Sequence, residues 1–212
     1  KVAQATSPEA VAAAIAQQVP NVNVQTSADF ASQERRLVMD MSADVISIMV
    51  RDDAQVTDVL TGPDGILSTA RPGTVVAIHS TVEADTPARL AAIAAEHRID
   101  VIDAPVSGGF MGAHSGTLAL MVGGSDDAVA KATEPFALLG TLVAHLGPIG
   151  AGTRAKLARN LITFSAMAAV GEASRLAEAA GVDLAKLGEV VRHSDKVTGG
   201  AGSTMLRATA AP

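Results

Sequence analysis

At 212 residues, with 48% hydrophobic and 18% charged side chains, the chain has the composition of a folded globular protein and not of a disordered one. A net charge of −6 without runs of like charge, and aromatics limited to four Phe, exclude a basic, stacking groove for nucleic acid. Zero Cys excludes a disulfide framework and thiolate metal sites, and no apolar stretch nears the roughly 18 residues that span a bilayer, so a cytoplasmic protein without a membrane partner is expected.

The first residue is Lys1 and not Met, and no apolar leader is legible after it. Ser7, Pro8 and Glu9 open a helix predicted over 8–18, since Pro suits the first helical position. A weak strand over 21–26 and a helix over 29–39 follow. The run Asp44-Val45-Ile46-Ser47-Ile48-Met49-Val50 is β-branched and nearly continuous, as a parallel strand buried on both faces requires. A short helix over 54–60 ends in the turn cluster Thr61 to Gly65. Strands are predicted at 74–79 and 100–103, separated by an Ala-rich helix over 86–97. A strand at 116–122, a helix over 125–139 opened by Ser125 and two acidic residues, and a strand at 141–146 complete this part.

Strands alternating with helices predict βαβ units and a Rossmann-like doubly wound parallel sheet in an α/β domain. Beyond Gly152 the character changes. A long Ala-, Leu- and Met-rich helix over 153–180 and a second over 184–192 predict an all-α part, so the expected domains are 1–151 and 152–212, both incomplete.

The acidic balance repels anions at long range, so a carboxylate or phosphate site has to be built locally from Lys, Arg and backbone amides. Two segments offer that. Asp103-Ala104-Pro105-Val106-Ser107-Gly108-Gly109 lies just past the carboxyl end of a predicted strand, where open α/β sheets place ligand crevices. Ser107 with Gly108 and Gly109 can cradle an anion through a hydroxyl and unobstructed amides, and the same glycines equally suit a tight connection that needs their dihedral freedom. Lys156 and Asn160, four residues apart on the predicted long helix, share one face. Alone, such a pair is more commonly a solvated face. The histidines, His79, His97, His114, His145 and His193, show no metal-ligand spacing and most read as surface or strand-end residues, so no metal is expected.

Taken together, DAPVSGG at 103–109, GAHSGTLALMVGG at 112–124 and GPIGAGTRAKLARN at 147–160 resemble the signatures of the β-hydroxyacid dehydrogenases, which include 3-hydroxyisobutyrate dehydrogenase and tartronate semialdehyde reductase. The resemblance runs from about residue 43 to 212. It implies an oxidoreductase using NAD or NADP on a small carboxylate substrate, with Lys156 as the proton-transferring residue. It also implies that Ser107, Gly108, Gly109 and Asn160 hold the substrate, and that Met49, Val50 and Thr81 line the cofactor.

Arg51 stands where the family commonly has Pro. Residues 1–44 contain no glycine, although a dinucleotide-binding domain normally opens with a glycine-rich turn. Gly150-Ala151-Gly152-Thr153-Arg154-Ala155 fits a loose version of that fingerprint but lacks the following strand and acidic residue. Either a glycine-rich turn lies outside these residues, or cofactor binding is impaired and the chain is a non-catalytic binding or assembly module. The first is preferred, because Ala5 to Val11 resembles a family stretch that usually comes shortly before the strand at Val45. The apolar long helix needs covering, which predicts a homodimer or homotetramer.

Overall fold

The computed structural model describes residues 44–200, the two-residue strand Val22–Asn23 and Met205. The helices expected over 8–18 and 29–39, and most of the strand over 21–26, lie outside the described residues. The chain divides into two compact units, one ending at Leu157 and one starting at Ala158.

In the first unit, four parallel strands form a sheet in chain order: β1 (Val22–Asn23), β2 (Val45–Ile48), β3 (Val75–Ile78) and β4 (Asp100–Asp103). Neighbouring parallel strands cannot be joined by hairpins, and helices make the crossovers from β2 to β3 and from β3 to β4. Between β2 and β3 runs α1 (Asp53–Thr61), and between β3 and β4 runs α2 (Thr86–Ala95). Asp52 caps α1 by accepting from the Gln55 amide at 2.9 Å. Pro87 lies in the first turn of α2, where its missing N–H costs nothing.

The doubly wound character is read directly from β3. Val76 and Ile78 join one core with Val56, Leu60 and Leu90 from the two crossover helices. Val75 and Ala77, one residue out of phase, join a second core with Ile102, Leu120 and Phe136. A strand whose two alternating faces are both buried must be apolar throughout, which is why no period-2 alternation marks these strands in the sequence.

The second core is closed by a smaller sheet of β5 (Val106–Ser107), β6 (Leu118–Val122) and β7 (Gly140–His145). Here β5 runs antiparallel to β6, β6 runs parallel to β7, and an antiparallel bridge joins Asp103 to Gly123. The crossover between β6 and β7 is α4 (Asp126–Leu139), capped by Ser125, which accepts from the Ala128 amide at 3.3 Å. It buries Val129, Ala132 and Phe136 on one face. The sequence does not foresee β5, a 3-10 turn at Ile66–Ser68, or α3 (Gly109–Ser115), whose sequence GFMGAHS is too short and glycine-rich to show a helical period.

Helix α5 (Ala151–Ala179) starts in the first unit and continues in the second, which also holds α6 (Leu184–Thr198). Asp183 caps α6 by accepting from the Lys186 amide at 3.0 Å. The helix continues past the predicted end at Arg192 because no breaker intervenes before Gly199, which ends it in the left-handed conformation at φ 76°. Among the described residues no helix is long and apolar enough to cross a membrane.

Candidate active site

The parallel register aligns the carboxyl ends of three strands. Ile48 pairs with Ile78 and Ile78 with Asp103, and the amides just beyond continue the ladder: His79 donates to Ile48 and Ala104 to Ile78, each at 2.8 Å. Three connections therefore leave the sheet along one line, and this is the edge at which open α/β sheets bind ligands. They carry Met49 with Val50, Ser80 with Thr81, and the loop Ala104 to Gly109.

Ser80 ties the first two together. Its buried hydroxyl accepts from the Val50 amide and donates to the Val50 carbonyl, both at 2.8 Å. One side chain thus satisfies the two backbone groups that the ending strand leaves open. Met49 and Thr81 stand exposed on either side, so the three nominated cofactor residues share the carboxyl edge of β2 and β3. Ser80 was missed in the sequence because a strand-end serine carries no periodic signal.

His79 fixes the third connection from below. It is 4% exposed, and its Nδ1 lies 2.8 Å from the Ala104 carbonyl, its Nε2 3.1 Å from Ser47 Oγ. A carbonyl only accepts, so Nδ1 holds the proton and Nε2 accepts from the Ser47 hydroxyl. The ring meets Phe136 edge-on with centroids 5.2 Å apart. Burial pushes the imidazole below its ordinary range, opposed in part by the bond to Ala104. It is a strand-end histidine that lies in the core and not on the surface.

In the DAPVSGG loop, Ser107 is half-buried in β5 opposite Ala119. Gly108 and Gly109 have φ of 132° and 60°, conformations that side chains rarely adopt. The tight connection therefore explains both glycines by itself. It also leaves open space beside Gly109, where an added Cβ would meet nothing within 4 Å.

Lys156 reaches this loop. Half-buried on α5, its Nζ donates to the Val106 carbonyl at 2.5 Å, one residue before Ser107. A solvated helix face would have left the ammonium in water. Asn160 sits one turn further along α5, beyond the unit boundary, and is half-buried.

The group that the sequence hid is Asp103. Fully buried at 0% exposure, it accepts from the Gly150 amide at 2.6 Å and the Thr153 amide at 2.5 Å, at the start of α5. Helix N-termini leave amides unpaired and carry partial positive charge, which suits a carboxylate. The loose fingerprint Gly150 to Ala155 thus already holds an anion, supplied by the chain itself. Its signal was available as an acidic residue ending a buried strand, paired with a glycine-rich helix start downstream.

Met49, Val50 and Thr81 share the carboxyl edge of β2 and β3, and the next connection along that edge is the loop whose Val106 carbonyl accepts from Lys156 on α5. The start of α5 does not fit the pyrophosphate, because Asp103 occupies its amides. Among the described residues no three His, Asp or Glu side chains gather as metal ligands would.

Residues 2–147 match the family described as the NAD binding domain of 6-phosphogluconate dehydrogenase. Residues 150–210 match the NAD-binding family of NADP-dependent 3-hydroxyisobutyrate dehydrogenase. An uncharacterised oxidoreductase of Mycobacterium tuberculosis is 54% identical over 170 residues, 80% of this chain and 58% of that protein. A probable mitochondrial 3-hydroxyisobutyrate dehydrogenase of Dictyostelium discoideum is 40% identical over 152 residues, 72% of this chain and 47% of its own length. A crystal structure of a putative oxidoreductase from Mycobacterium avium superposes with a TM-score of 0.74 at 42% identity, covering 95% of this chain and 67% of that one. The chain spans about half the length of the curated relatives it matches. With a nicotinamide dinucleotide, NAD or NADP, as its cofactor class, the chain belongs to the β-hydroxyacid dehydrogenase family.

Proposed function

We propose that the protein interconverts a small β-hydroxyacid and its semialdehyde or keto form, with a 3-hydroxyisobutyrate-like substrate favoured and Lys156 as general acid and base. The contact of Lys156 Nζ with the Val106 carbonyl carries this reading, because it sets a cation beside Ser107 at the carboxyl edge of the sheet. The relatives named as 3-hydroxyisobutyrate dehydrogenases support the substrate class.

A bound nicotinamide supplies or takes up the hydride. The chain's own residues do the rest. Ser107 and the amides around Gly108 and Gly109 hold the substrate carboxylate, fixing the carbinol carbon relative to the edge formed by Met49, Val50 and Thr81. In the oxidative direction the Lys156 amine takes the hydroxyl proton as hydride leaves the carbon, and in the reductive direction its ammonium returns that proton to the carbonyl oxygen. Val106 holds Nζ in place between turnovers, and Asn160 orients Lys156 or the substrate. The proposed domains are 1–151 for the dinucleotide and 152–212 for substrate and assembly. The proposed assembly is a homodimer or homotetramer, in the cytoplasm.

A panel of 3-hydroxyisobutyrate, glycerate, tartronate semialdehyde and succinic semialdehyde, followed by nicotinamide absorbance with NAD and with NADP, tests the reaction class. Turnover of at least one, with 3-hydroxyisobutyrate preferred among the hydroxyacids, is expected. Binding of the dinucleotide with no turnover of any of the four would overturn it.

A further inference from the structure

We infer that Asp103 is the positioning residue for Lys156: its carboxylate locks the first turn of α5 to the end of β4, and that lock sets where the lysine falls on the loop. Two clamps tie the same two segments. Asp103 holds the Gly150 and Thr153 amides, and three residues further along each segment Lys156 holds the Val106 carbonyl. The loop and the helix start are therefore pinned at both ends of a short shared stretch.

Neither side of the first clamp can slide. The Asp103 amide donates to the Gly123 carbonyl at 3.0 Å, and the Gly123 amide donates back to the Asp103 carbonyl at 2.8 Å, so the backbone bearing the carboxylate is fixed. On the helix side, Gly152 packs so close that an added Cβ would lie 2.1 Å from the Met121 carbonyl oxygen. A carboxylate suits this place better than any neutral group. It offers one oxygen to each donor, it is charged against the positive helix end, and its bonds are the stronger charge-assisted kind. An Asn in its place would turn an NH2 toward one of the two amides and leave a buried donor unpaired.

This placement matters for catalysis only on the reading that Lys156 transfers the proton, but the linkage itself is measurable without turnover. The chain has five lysines, Lys1, Lys131, Lys156, Lys186 and Lys196, so ε-carbon-13 labelling resolves each, with Lys156→Met identifying the one of interest. In Asp103→Asn the Lys156 resonance and its pH titration are expected to move while those of Lys131 and Lys186 stay. A purely structural Asp103 would lower the melting temperature and leave the Lys156 signal of the folded chain where it was, which would overturn the inference.

Should Asp103→Asn not fold, the reverse direction decides. Lys156→Met removes the second clamp, and the Gly150 and Thr153 amides are then expected to exchange hydrogen roughly tenfold faster, the scale of losing one charge-assisted bond. The Val76 amide in the sheet centre is the unaffected reference. Unchanged exchange at Gly150 and Thr153 would contradict a linked pair of clamps. Because neither arm reads turnover, an inactive site with a moving Lys156 signal removes the catalytic reading alone, and an active site with a static one removes this inference alone.

Discussion

Asp103 and His79 show what burial demands of single polar residues. Each lies under the carboxyl edge of the sheet: Asp103 is satisfied by two amides at the start of α5, and His79 by the Ala104 carbonyl and the Ser47 hydroxyl. His79 makes this dependence measurable. Its imidazole is held below the ordinary range by burial, so below about pH 6.5 the unfolded chain takes up a proton that the folded chain does not. Stability from this residue is thus present above that pH and lost as pH falls through the window below it. The urea midpoint is expected to drop between pH 7 and pH 5 more steeply in the wild type than in His79→Gln, and equal slopes would contradict the buried neutral ring. Of these residues the sequence showed the motif but not the partners. Asp103 was visible as the first letter of DAPVSGG, yet its donors lie 47 and 50 positions away, a separation that no local pattern encodes.

At the scale of elements, the buried strands and their crossover helices were legible because each obeys a local rule. The strand at 100–103 falls where the sequence places it, and Ser125 and Asp183 cap the helices they precede. The antiparallel β5 and the short α3 were not legible, since their form depends on β6 lying beside them. Gly152 links the two kinds of information. Read as part of a loose nucleotide fingerprint, it is in fact the point where α5 meets the end of β6, with no room for a side chain against the Met121 carbonyl. Because that neighbour is backbone and cannot swing aside, Gly152→Ala is expected to destabilise the chain by about 1–3 kcal/mol. A chemical denaturation curve checks this, and an unchanged midpoint would mean that the helix start can shift.

For the whole molecule, the second unit leaves large apolar side chains in water: Leu161, Phe164, Met167 and Val170 on α5 are each more than 60% exposed. An apolar surface of that kind marks an interaction face, and the homo-oligomer proposed above would cover it. Sedimentation is expected to give a multiple of the 21.3 kDa chain mass, reduced by Phe164→Glu, whereas a monomer at tens of micromolar would oppose self-association. In the first unit, α5 sets Lys156 against the Val106 carbonyl, one residue before Ser107 in the loop that follows β4. The most direct test is the kcat of Lys156→Ala on 3-hydroxyisobutyrate, with dinucleotide binding followed by nicotinamide fluorescence. Positioned proton transfer contributes roughly 10²- to 10⁴-fold. A fall in kcat of about that size with dinucleotide affinity unchanged is expected, and an unchanged kcat would contradict the assignment of Lys156 as the acid and base.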